Sequence, residues 1–232
     1  MSPTANPVGE TARRFPTTMY VPVTPAQPAP ALAPVAVFST SPAAAASPVH
    51  TSLTVHSSQL NVLDDHQANV TGSLRESHAA RAGRIVALQE LTGHGWRTLT
   101  RARTHTGGRF KLSFTPHSVG SDQVRLRFDG DAYGHPAHRP LGRLNVYRLA
   151  GASWYGGGGN LACGGSLSSS TLGVANKTLP CGTEVTLRYD GHTVRVPVID
   201  RGPYVEGREF DLTEATKAAL GFGDTGDVWT TS

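Results

Sequence analysis

A chain of 232 residues has room for one large or two small domains, because a single core seldom grows beyond roughly 250 residues. Its formal charge of +4 is unevenly placed: residues 1–150 hold 15 Lys/Arg against 8 Asp/Glu, and residues 151–232 hold 6 against 9. No apolar run approaches the roughly 20 residues that cross a bilayer as a helix, which argues against a membrane-spanning segment of that kind.

Residues 1–50 are dominated by Pro, Ala, Ser and Thr and lack the apolar periodicity that would offset the entropy of ordering. They read as a disordered or processed leader. Arg13 and Arg14, the mildly apolar stretch 29–38 and the alanines 43–46 before Ser47 follow the order of an export signal. Pro25, Pro28, Pro30 and Pro34 would break the helix at the heart of such a signal, so a plain Pro/Ala linker is the competing reading.

Between residues 51 and 149 the pattern has the period of strands. In 109–115 Phe110, Leu112 and Phe114 alternate with Arg109, Lys111 and Ser113, and in 123–128 Val124, Leu126 and Phe128 alternate with Arg125 and Arg127. A period of two with one polar face marks half-buried antiparallel strands. Weaker runs of the same kind lie at 52–56, 67–73, 84–89, 96–104 and 143–148, and Gly107-Gly108 between two runs predicts a two-residue hairpin. About seven short strands at this spacing predict an antiparallel β-sandwich, immunoglobulin-like or prealbumin-like. His56, His66, His78, His94, His105, His117, His135 and His138 are scattered at predicted turns without Asp, Glu or Cys at ligand spacing, so no metal site is expected. The basic excess of this half either meets an anionic polymer, such as a wall teichoic acid or a nucleic acid, or merely solvates the outer face of a sheet.

From Gly151 the composition changes. Ala152-Ser153-Trp154-Tyr155-Gly156 leads into three further glycines, and 185–189 and 193–199 read as strands joined by a tight turn at Asp190-Gly191. Thr213 is a predicted N-cap for a short helix with Ala215, Ala218 and Ala219 along one side, and Gly221 its stop. Several strands and one short helix in about 80 residues predict a compact barrel over 150–232. Cys163 and Cys181 are the only cysteines: a disulfide in an oxidising compartment, a pair of buried thiols, or, least well supported by the spacing, part of a zinc site.

Ser153-Trp154-Tyr155-Gly156, the run 174–183 (VANKTLPCGT), Val198-Ile199-Asp200-Arg201-Gly202-Pro203-Tyr204 and Phe210-Asp211-Leu212 occur in the order of the motifs of the rare lipoprotein A family, the septal-ring lytic transglycosylases, which this third of the chain resembles. The resemblance implies a six-stranded double-psi β-barrel. It also implies an exported, peptidoglycan-directed enzyme that cleaves the bond between N-acetylmuramic acid and N-acetylglucosamine to a 1,6-anhydro product, without a cofactor. The segment 51–149 is similar, more diffusely, to the sandwich modules that precede wall-active domains.

Because the attacking hydroxyl belongs to the sugar, a single carboxyl can serve as acid and then as base. Asp200, at the end of an apolar strand before a Gly-Pro turn, is the candidate, and its structural alternative is pairing with Arg201 or with backbone N–H groups. Tyr155 and Tyr204 offer faces to sugar rings, whereas Trp154 suits a core. Lys177 is a candidate for a substrate carboxylate, Arg201 and Asn176 for polar contacts, and Asp211 either supports the site or stabilises the start of the helix. Two departures weaken the enzymatic implication: Gly165 stands where the family has Glu, and Asn176 where it has His, which removes two titratable groups. Cys163 and Cys181 replace family residues in segments expected to border one groove, so the resemblance implies a disulfide there and a secreted or wall-associated location. A non-catalytic, expansin-like wall-binding or wall-loosening module is the main rival, and an interaction module built on the basic sandwich is a third reading.

Overall fold

The computed structural model describes residues 47–232, together with Pro22; the leader, apart from these, lies outside the described residues. The first sheet holds β1 (Thr51–Gln59), β3 (Ala68–Glu76), β4 (Ala79–Ala80) and β7 (Arg109–Phe114), with β3 central between β1 and β7. The second runs β6 (Gly95–Arg103), β5 (Ile85–Thr92), β8 (Gly120–Phe128) and β9 (Ala137–Tyr155), with short β2 (Asn61–Leu63) parallel to β9. Leu53, Val70, Leu74, Phe110 and Leu112 from the first sheet share one core with Val86, Leu88, Leu126, Phe128 and Leu144 from the second. The inward residues predicted by alternation are therefore the buried ones, in an arrangement consistent with a sandwich.

Gly107-Gly108 does not make the predicted hairpin. β6 pairs with β5 and β7 pairs with β3, so the link carries the chain from one sheet to the other through a single 3₁₀ turn. Both glycines have positive φ, and a Cβ on Gly108 would lie 2.2 Å from the Leu74 carbonyl oxygen. Close packing of Gly108 against the neighbouring strand β3, and the left-handed backbone of both residues, account for this glycine pair better than hairpin geometry does.

β9 is one strand of 19 residues that serves both halves: 137–146 pairs with β8, and 148–153 pairs with β16 (Thr225–Thr230). Tyr147, fully buried, sits at the changeover; its hydroxyl donates to Asn61 Oδ1 at 2.8 Å and its ring meets Trp229 at 5.7 Å between centroids.

Beyond it come β10 (Gly159–Asn160) paired with β11 (Ser166–Leu167), then β12 (Val174–Ala175), β13 (Glu184–Tyr189), β14 (His192–Asp200), β15 (Phe210–Thr213), α1 (Glu214–Leu220) and β16. The order β15-β12-β14-β13-β16-β9 closes through a parallel β15–β9 pairing, giving a six-stranded double-psi barrel. Its own core comprises Val174, Val185, Leu187, Val196, Val198, Phe210, Leu212, Leu220 and Val228 among others.

The predicted turn at Asp190-Gly191 joins β13 to β14 with both residues at positive φ. Thr213 caps α1, its hydroxyl accepting from the Thr216 N–H, and Gly221 ends it in the left-handed conformation. The helix, however, buries Thr216 and Leu220 rather than its alanines; Ala218 and Ala219 are exposed. Thr216 is turned inward because its hydroxyl donates to the Gly173 carbonyl at 2.9 Å and accepts the Gly173 N–H at 3.0 Å, a buried donor that an alanine would orphan.

Candidate active site at the barrel mouth

The parallel pairings β12–β14 and β15–β9 bring the ends of four strands to one rim. Ala175 stands opposite Asp200 and Asp211, and Asp211 opposite Ser153. Over this rim folds the loop 161–165, whose Ala162 N–H donates to Asp200 Oδ1 at 2.9 Å and whose Cys163 N–H donates to the Ile199 carbonyl at 3.2 Å. Gly164 and Gly165 both have positive φ, a conformation that a side chain at position 165 would resist. The disulfide Cys163–Cys181, with Cα atoms 5.6 Å apart, fastens the loop to the segment after β12.

Asp200 is half-buried. Oδ1 accepts from two backbone N–H groups, Ala162 and Arg201, each at 2.9 Å, which fixes the plane of the carboxyl. Among the described residues Oδ2 makes no hydrogen bond. Arg201 does not pair with this carboxylate: its Nη1 donates to the Asn176 carbonyl at 3.1 Å and its Nη2 to Cys181 Sγ at 3.1 Å. Arg201 instead braces the rim by linking the segment after β12 to the end of β14.

Tyr155 reaches the same place from the end of β9. Its hydroxyl oxygen is buried and, among the described residues, has no hydrogen-bond partner. Burial first, then the carboxylates of Asp200 and Asp211, push the phenol well above its usual range. The approach to Asp200 falls short of hydrogen-bond geometry, leaving a donor facing two acceptors. Asp211 accepts a short hydrogen bond from the buried Ser153 hydroxyl. It lies in β15 and does not stabilise α1; Glu214 supplies the acidic group of the first helical turn.

Other candidates are placed differently. Asn176 is buried: Nδ2 donates one N–H to the Glu209 carbonyl at 3.1 Å, and Oδ1 accepts the N–H groups of Thr178 and Leu179. Contrary to the expectation of a surface sugar ligand, its burial and these three bonds set it to organising the loop after β12, where the backbone donors would otherwise be left unsatisfied. Glu209 forms a two-pronged ion pair with Arg148 and so is not a second carboxyl in the groove. Lys177 is exposed, and Tyr204 is 80% exposed beyond the Gly202-Pro203 turn. Trp154 is not a core residue: it is 38% exposed, its indole N–H donates to Asp224 at 3.0 Å, and the Lys217 ammonium lies 3.9 Å from the ring centroid. Strand alternation accounts for this, since its neighbours Ser153 and Tyr155 face the rim and Trp154 the outside. Sequence reasoning passed over two contributors, the Ala162 N–H and the Ser153 hydroxyl; the second lay within a quoted motif, while the first is a backbone group with no residue-type signal.

A closed six-stranded double-psi barrel with a carboxyl at its rim can be compared with known proteins. Residues 149–229, the C-terminal barrel, match the family model described as lytic transglycolase. The endolytic peptidoglycan transglycosylase RlpA of Pseudomonas aeruginosa is 33% identical over 117 residues, 45% of this chain and 34% of that protein. The probable endolytic peptidoglycan transglycosylases RlpA of Aquifex aeolicus and Synechocystis are 44% and 35% identical over 75 and 105 residues, covering 30% and 39% of this chain and 33% of each of those proteins. The chain thus spans about a third of the length of the curated relatives it matches. The solved structure of Streptomyces papain inhibitor aligns with 36% of this chain and 90% of its own at 27% identity, with a TM-score of 0.31.

Proposed function

We propose that this chain is an exported, peptidoglycan-active protein whose barrel cleaves the bond between N-acetylmuramic acid and N-acetylglucosamine as a lytic transglycosylase, with Asp200 as sole acid and base. Its layout in this reading is a leader over 1–50, a spacer or tethering sandwich over 51–149 and the barrel over 150–232. The observation that carries the reading is the half-engaged carboxyl of Asp200, with Oδ1 fixed by two N–H groups and Oδ2 left open at the rim. Protonated Asp200 gives its proton to the glycosidic oxygen as the C1–O bond breaks. The muramic C6 hydroxyl then attacks C1 and returns a proton to Asp200, so no water is consumed. Between the two transfers the Tyr155 hydroxyl is available to donate to the carboxylate, and Ser153 keeps Asp211 oriented beside it. Around this centre Tyr204 and Lys177 supply an aromatic face and a cation for the sugar and its carboxylate, and Arg201 braces the rim. The disulfide supports an oxidising, extracytoplasmic location, and no helix of the described residues is long and apolar enough to cross a membrane. Peptidoglycan strands are the partner, and the basic sandwich suits an additional anionic wall polymer.

Incubation of the purified protein with denuded glycan strands, followed by mass spectrometry, is expected to yield 1,6-anhydro products, and Asp200→Asn is expected to lower the yield by roughly a hundredfold or more. Equal product from Asp200→Ala would remove Asp200 from the mechanism. The absence of a carboxyl at Gly165 and the inward turn of Asn176 favour a second reading, a binding or loosening module; sacculus pull-down without any anhydro product would establish that one instead.

A further inference from the structure

The outer face of the second sheet carries a hollow of about 360 Å³ lined in part by Trp96, Gln123, Arg125, His138, Pro140 and Arg143. Five arginines of this half, Arg81, Arg84, Arg97, Arg127 and Arg148, each pair with a carboxylate among the described residues. Arg125 and Arg143 do not, among the described residues, and are held instead by neutral groups. Arg125 Nε donates to Gln89 Oε1 at 3.0 Å, and its guanidinium carbon stacks 4.0 Å from the Trp96 ring centroid. Arg143 Nη1 donates to the Ser121 carbonyl at 2.7 Å. Burial, then the neighbouring Arg127, hold the Arg125 guanidinium below its usual range, with Asp129 opposing more weakly.

Two clamped guanidinium groups at one hollow, neither in an ion pair among the described residues, have lost much of their rotamer freedom in advance, so an oxyanion meets a prepared receptor. The planar fork matches carboxylate or phosphate. The ring of Trp96 and the face of Pro140 add an apolar wall of the sort that receives a pyranose ring, which an open-chain polyol phosphate lacks. We propose that this hollow binds a carboxylate-bearing pyranose of an acidic glycan, its oxyanion on Arg125 and Arg143 and its ring against Trp96 and Pro140. This site is separate from the barrel rim and does not depend on Asp200, so it gives the sandwich a binding role of its own.

The test titrates the intact chain with three probes at low salt: tetragalacturonate, neutral N-acetylchitotetraose and a glycerol-phosphate oligomer. Binding is followed through the Trp96 indole and arginine Nε–H resonances. Tetragalacturonate is expected to bind best and to shift both sets, and the double variant Arg125→Gln/Arg143→Gln to weaken it roughly tenfold or more. Arg125→Lys, which keeps the charge and loses the fork, is expected to weaken it as well, while Arg109→Gln/Lys111→Gln on the other sheet leaves it unchanged. No binding of tetragalacturonate, equal binding of the neutral tetrasaccharide, preference for the glycerol-phosphate oligomer, or an equal loss in the control variant would each overturn the assignment. Because none of these probes contains muramic acid, failure here leaves the anhydro-product assay on the barrel unaffected.

Discussion

Replacing Cys163 and Cys181 together by serine removes the covalent tie between the rim loop and the segment after β12. The bridge spans 18 residues, and closing a loop of that length restricts the unfolded chain by about 3 kcal/mol. Inside the folded barrel the loop keeps only backbone contacts near the site, chiefly Cys163 N–H to Ile199 and Ala162 N–H to Asp200. Most of the 3 kcal/mol is therefore expected to appear as lost stability. With a urea dependence of about 1 kcal/mol per molar for a domain this small, the unfolding midpoint should fall by about 3 M. Trp154 and Trp229 lie in the barrel and Trp96 in the sandwich, so fluorescence in a Trp96→Phe background reports the barrel alone. A midpoint shift below about 0.5 M in that background, well under the loop-entropy value, would refute the reasoning. The same outcome would follow if reduction of the wild type left the midpoint unchanged.

Tyr155→Phe removes a buried hydroxyl that has no partner, so the barrel should gain roughly 1 kcal/mol in denaturant unfolding while anhydro-product formation falls. A loss of stability instead would mean that the hydroxyl is hydrogen-bonded in solution. Asp224 accepts from Lys217 at 2.9 Å and from the Trp154 indole at 3.0 Å, and these bonds hold its carboxyl below the ordinary 3.8. A depressed folded value stabilises above the ordinary range, and the contribution is lost as pH falls through the folded value. An NMR titration should find the Asp224 midpoint below 3.8 and see it rise in Lys217→Met; an unchanged midpoint in the variant would remove Lys217 as the main cause.

Much of the architecture was legible because its signals are local. Phe110 and Leu112, or Val124, Leu126 and Phe128, alternate with polar neighbours, and a strand half-buried on one face requires nothing else to be recognised. Asp190-Gly191 and the pair Thr213 and Gly221 likewise encode a turn and two helix caps in the residues that form them. The motif order around Ser153, Asp200 and Asp211 pointed to the rim before any geometry was known.

What the chain could not disclose locally depends on partners far away in sequence. Gly107-Gly108 has hairpin chemistry, yet the strand that β7 needs is β3, so the glycines make a crossing between sheets. The alanines line one side of the predicted helix, but the N–H of Gly173, 43 residues earlier, needs an acceptor and draws Thr216 inward instead. Asn176 is a ready sugar ligand by residue type, but three backbone groups claim its amide, and Arg148 similarly claims Glu209. Residue order alone thus determined the strand periods, the turn at Asp190-Gly191 and the caps of the helix. Tertiary structure decided which polar groups remain open to a substrate, because a buried donor or acceptor must find its partner wherever the fold brings one within reach.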